Sequence, residues 1–113
     1  MNVISKGMEV NSAPFCDISL MGIHWHNEGK DLHIHLEMHS SYKEYPKEIT
    51  LVCEWATNLR IDLDWGARNI GTLLSWDFNF EKNEKGVYRA LFDFSESPGG
   101  LISFECNEIS VQA

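Results

Sequence analysis

The run from Leu73 to Phe94, LLSWDFNFEKNEKGVYRALFDF, constrains the fold more than any other stretch, because apolar and polar residues alternate through it in twos. A period of two belongs to an extended strand with one buried face; a helix repeats its apolar positions every three or four residues. Leu74, Trp76, Phe78 and Phe80 fall on one side, and Ser75, Asp77, Asn79 and Glu81 on the other. Tyr88, Ala90, Phe92 and Phe94 repeat the pattern after a polar turn, Lys82 to Gly86, in which glycine takes a positive φ without steric cost. Opposing residue 80 to residue 88 gathers the large rings on one face, and a one-residue slip would turn them all to water. Trp76 and Phe92 are therefore expected in the core.

Two more hairpins are written in the same period. Ile18 and Leu20 lie on one parity and Met21, Ile23 and Trp25 on the other, which predicts a bulge near Gly22. Leu32 to His39 alternates cleanly, and Asn27-Glu28-Gly29-Lys30 supplies the turn between the two runs. With residue 26 opposite 31, Trp25 faces Leu32, Ile23 faces Ile34 and Met21 faces Leu36. The other surface then collects His24 opposite His33, with His26 and His35 beside them, about 5 to 8 Å apart at Cβ. In the third hairpin Ile49, Leu51, Cys53 and Trp55 run up to Ala56-Thr57-Asn58, and Leu59, Ile61, Leu63 and Trp65 run back. Opposing 55 to 59 buries Cys53 against Ile61 and Leu51 against Leu63. It also sets Glu54 beside Arg60, with Asp62 and Asp64 on the outer face.

Residues 1 to 14 are expected to give a short edge strand or a helical turn before Ala13-Pro14. The last strand runs from Leu101 to about Val111, with a parity change near Asn107 that reads as another bulge. About seven antiparallel strands with short turns predict an all-β fold, a single-domain antiparallel β-sandwich or strongly curved meander over residues 1–113. At 113 residues the chain suits one core and is too short for two.

The formal charge of −8 repels phosphate backbones and anionic lipid and attracts basic partners, so nucleic acid and membrane surfaces are excluded as expected ligands. Cys16, Cys53 and Cys106 are odd in number and widely spaced, which predicts reduced thiols packed as small hydrophobes and a cytoplasmic location. The opening MNVISKGMEV lacks the unbroken apolar run of a secretory leader.

Chemistry concentrates in two places. His24, His26, His33 and His35 share a strand face, and neutral imidazole suits Zn, Ni or Cu; the competing reading is a solvated polar face. No carboxylate or thiol of matching parity in that hairpin completes the set, Asp31 being the nearest. Asp62 and Asp64, with Asp77 near them if the strands are neighbours, form an acidic face. Catalysis there would need a tuned, buried pair, so a docking surface for a basic protein is the expected role. Tyr42 and Tyr45 in SSYKEYPK are candidate anchors for that partner, or rings lying over the rim of the core. No catalytic triad, zinc quartet or glycine-rich phosphate loop is present in the sequence, so neither an enzyme nor a cofactor is expected. A small-ligand carrier remains an alternative beside the metal-binding reading.

The segment APFCD, Ala13 to Asp17, leading into an apolar strand, together with the closing GLISFECNEISV, Gly100 to Val111, resembles small all-β immunity proteins of bacterial polymorphic toxin systems. In those proteins a proline, a phenylalanine and an aspartate precede the first strand and an F-x-C-like strand ends the domain; Cys16 stands here where a histidine would precede the aspartate. The resemblance implies a cytoplasmic protein that binds and neutralises a cognate toxin. A basic, nuclease-like toxin would suit the acidic surface.

Overall fold

The computed structural model describes residues 2–12, 18–38, 45–63, 73–75, 77–93 and 100–113, with the backbone alone at 11, 12, 73–75, 77 and 78. The chain forms strands β1 (Val3–Lys6), β2 (Ile18–His26), β3 (Asp31–Glu37), β4 (Glu48–Glu54), β5 (Thr57–Leu63), β6 (Leu73–Ser75), β7 (Asp77–Lys82), β8 (Tyr88–Asp93), β9 (Gly100–Cys106) and β10 (Glu108–Gln112), with a 3-10 turn over Gly7–Ser12. They build two antiparallel sheets, a six-stranded one in the order β1-β10-β4-β3-β2-β6 and a four-stranded one in the order β5-β9-β8-β7. The fold is the expected all-β sandwich. It has more strands than expected because two long runs each divide in two and the N-terminal segment adds an edge strand.

The β2–β3 hairpin takes the register read from its side chains. His26 opposes Asp31, Trp25 opposes Leu32, His24 opposes His33 and Ile23 opposes Ile34. The register shifts between Leu20 and Gly22, at the expected bulge, so Leu20 rather than Met21 faces Leu36. In the β7–β8 hairpin Phe80 opposes Ala90 and Lys82 opposes Tyr88, two residues from the expected pairing. A shift of two leaves each side chain on the same face, which is why alternation alone could not see it. The turn closes one residue later than expected: the Asn83 side-chain oxygen accepts the N–H groups of Lys85 and Val87, a local bond typical of asparagine in turns.

The third hairpin does not form. β4 sits between β3 and β10, and β5 lies at the edge of the other sheet beside β9. Cys53 therefore opposes Leu32 and Ile109, and Leu51 opposes Ile34 and Val111. The cause is backbone capture after Glu54. Ala56 donates its N–H to the Lys30 carbonyl and Asn107 donates to the Glu54 carbonyl, each at 2.9 Å, while Trp55 turns the chain with φ 56°. The chain leaves the first sheet there. Arg60 opposes Ser103, so no shared register sets Glu54 beside it. Ile61 opposes Ile102 but is 47% exposed, as an inward side chain on an edge strand can be.

The same passage between sheets occurs twice more. β6 pairs with β2 and β7 pairs with β8, so the run from Leu73 changes sheet between Ser75 and Asp77. β9 pairs with β5 and β8 while β10 pairs with β4 and β1, so the expected bulge at Asn107 is a crossing.

The inner faces meet in one cluster that includes Ile18, Leu20, Leu32, Ile34, Leu51, Phe92, Ile102, Phe104 and Ile109, with Val10 entering from the 3-10 turn. Phe92 is fully buried, as expected; Trp76 lies outside the described residues. Cys53 and Cys106 are free and buried among these side chains, and Cys16 lies outside the described residues. Burial pushes the Cys53 thiol well up from its usual range, with Cys106 adding to the effect. A thiol held protonated packs as a hydrophobe and is a poor nucleophile. No helix among the described residues is long and apolar enough to cross a membrane.

Candidate functional site

Since the inner faces fill the core, the chemistry available to a partner lies on the outer faces and at the corners. On the four-stranded sheet, opposed residues point the same way, and register places Asp62 opposite Leu101, Leu101 opposite Asp93 and Asp93 opposite Asp77. Three aspartates thus occupy one row across four strands, spread over roughly 15 Å at the usual strand spacing. Asp62 is exposed and Asp93 half-buried. The next row holds Arg60, Ser103, Leu91 and Asn79, and the one after it Glu105, Arg89 and Glu81. Glu105 also accepts a hydrogen bond from the Asn58 amide at 2.8 Å. Pairing with β8 and β9, and not a β4–β5 hairpin, puts Asp62 and Asp93 on one outer face and Asp77 at the same register level, with Arg60 and Arg89 in the neighbouring rows. Asp64 and Tyr42 lie outside the described residues. Tyr45 is half-buried and packs against the core, so it lies over the rim rather than standing free.

Sequence reasoning missed the corner at Trp55. This tryptophan was expected inside, yet it is 56% exposed and sits at positive φ. Asp31 accepts its backbone N–H at 3.2 Å, and the Lys30 ammonium lies 5.3 Å from the ring centroid. The Asn27 amide in turn donates to the other oxygen of Asp31 at 3.4 Å. Trp25, near the end of the adjoining hairpin, is 46% exposed. A local signal for this was weak: Trp55 continues the alternation of β4, and only the arrival of β10 from the far end of the chain ends the strand before it.

On the outer face of the six-stranded sheet the four expected histidines do come together. His26 and His33 stack with centroids 3.8 Å apart and planes at 21°, and His24 meets His35 edge-on at 4.9 Å and 71°. The His35 Nδ1 lies 3.0 Å from the Thr50 hydroxyl on β4. Burial, then the charges of the neighbouring imidazoles, pull His33 and His35 below the usual histidine range, with Asp31 opposing this at His33 and Glu48 at His35. Among the described residues no three His, Cys, Asp or Glu side chains converge as a ready-made metal site.

No family model matches the chain, and no curated protein does. A solved structure does: the chain is similar to one described as an uncharacterized protein from Neisseria gonorrhoeae, with a TM-score of 0.65 and 13% identity, covering 87% of this chain and 92% of that one. At that identity the likeness is one of fold.

Proposed function

We propose that this protein is a non-catalytic binding module that occludes a basic protein partner through the outer face of its four-stranded sheet. The observation that carries the reading is the row of Asp62, Asp93 and Asp77 brought together from three separate strands. Clustered charge of one sign accelerates encounter with an oppositely charged surface and rejects like-charged competitors. Trp55 supplies the complementary element, a rigid exposed ring of the kind that anchors interfaces. Tyr42 and Asp64 belong to the same proposal as further contacts.

The resemblance to immunity proteins gives the partner class: a cognate toxin, with a basic nuclease the best electrostatic fit. Cytoplasmic residence belongs to the same reading and is supported by the two free, buried thiols. The test begins with capture of the partner from the native host. Expressing that partner alone should arrest growth, and co-expressing this chain should restore it. Asp62→Lys with Asp93→Lys should slow association at least about tenfold at low salt and flatten its salt dependence. A partner whose affinity is indifferent to both salt and these reversals removes the acidic-face mechanism, and a partner without toxicity removes the immunity reading.

A further inference from the structure

We propose that His24 and His35 chelate one divalent transition-metal ion of the Zn2+, Ni2+ or Cu2+ class above Gly22, on the outer face of the six-stranded sheet, with water completing the coordination. The two rings already stand at the right separation. Imidazole nitrogens about 2.0 to 2.1 Å from one ion, at a near-tetrahedral angle, put the ring centres about 5 Å apart. The observed 4.9 Å matches that separation.

Both rings also border one place. A Cβ built on Gly22 would lie 3.2 Å from His24 Nε2 and 3.7 Å from its Cδ2, and 4.0 Å from His35 Cδ2. Gly22 opposes His35 in the register, so the missing side chain leaves room beside both rings for an ion that the His35 Nε2 would reach by a small rotation. Any larger residue there would crowd the His24 ring.

Metal-binding histidines are commonly oriented through their second nitrogen. The buried Thr50 hydroxyl takes that part for His35, 3.0 Å from Nδ1. With Nδ1–H donating to the hydroxyl, the Nε2 lone pair is left for a ligand. The sequence showed no such partner because Thr50 comes from the next strand and not from the hairpin. Glu48 adds negative potential from the adjoining strand, and a cleft of about 450 Å³ lined by Met21, His35, Glu48 and Thr50 admits solvent. An all-imidazole pair selects against Mg2+ and Ca2+, which prefer oxygen. His26 and His33 stack face to face, a geometry in which two rings cannot share one ion, so they serve as internal controls.

The test uses untagged, metal-free protein titrated with ZnCl2, NiCl2 or CuCl2 by calorimetry, with the histidine ring protons followed by NMR. One ion per chain is expected, Cu2+ tightest, with His24 and His35 resonances responding first. His24→Gln and His35→Gln should each weaken binding at least tenfold and Thr50→Val about tenfold, while His33→Gln leaves it unchanged. Absence of saturable binding below about 1 mM overturns the proposal. So does equal loss in His33→Gln, or unaltered binding in both His24→Gln and His35→Gln. Should a variant fail to fold, the wild-type ring resonances decide alone: His26 and His33 responding first counts against the site.

Discussion

The ammonium of Lys30 lies 5.3 Å from the centre of the Trp55 ring, and the residue before Ala56 is thereby an exposed tryptophan fixed at φ 56°. An L-residue pays about 1 to 2 kcal/mol for the left-handed region, and glycine escapes that cost. An exposed cation–π contact returns only about 0.5 to 1 kcal/mol. Trp55→Gly should therefore be more stable than Trp55→Ala in chemical denaturation, by about 1 kcal/mol, and close to wild type. Affinity for the proposed partner should fall at least about tenfold in both variants, the signature of an anchor retained for contact and not for stability. Equal stabilities of the Gly and Ala variants would show that the corner is not strained.

Phe92 has no exposed surface and faces Phe78 and Ile102 in the register of its sheet. Removing its ring leaves a cavity that a sandwich tied on both sides by strand pairing closes poorly. Phe92→Ala should cost about 3 to 5 kcal/mol, a large part of the stability of a domain this size. Chemical denaturation checks it; a loss below about 1 kcal/mol would mean that the inner faces are loosely packed.

Gly100 opposes Leu63 at the first rung of the β5–β9 pairing and has φ +131°. A methyl there would run into the Asp62 carbonyl oxygen and approach both the Cα and the side chain of Leu63 at 2.9 Å. Backbone cannot step aside as a side chain can. Gly100→Ala should destabilise by about 2 kcal/mol or more and displace Asp62 from the acidic row, so slower partner association should accompany the lower melting temperature. Gly29→Ala provides the comparison, since a Cβ at Gly29 meets nothing within 4 Å and only its φ of +84° opposes the change.

The histidine face was legible in the sequence because a four-residue turn joins its two strands, so side-chain matching alone fixed His24 opposite His33. Alternation reports which side of a strand faces the core, but both sheets of a sandwich bury their inner sides in the same core. A strand can therefore leave one sheet for the other with its period intact. Cys106 and Ile109 are both buried although their parities differ, which reads as a bulge in the sequence although the chain crosses between sheets there. For the same reason Cys53 and Ile61 looked like partners. The aspartate row was visible only as residues and not as a row, because it depends on β8 and β9 meeting β5 across a long chain separation.

The crowding of imidazoles makes stability depend on pH in a defined direction. His33 faces His24, His26, His35 and Asp31, and His35 faces His24, His26 and Glu48; in both, burial and the other imidazoles prevail and lower the proton affinity of the folded state. Well above about pH 6.5 His33 and His35 are neutral whether the chain is folded or not, and they contribute no pH dependence. Below it the unfolded chain takes up protons that the folded chain resists. Unfolding then gains protons, and stability falls with pH until the folded-state values are passed. Melts of chelator-treated protein between pH 8 and pH 5 should show a loss beginning near 6.5, and His33→Gln with His35→Gln should flatten that segment while leaving the acid limb below pH 5 in place. If the double variant keeps the wild-type slope, the pH dependence in this window does not come from His33 and His35.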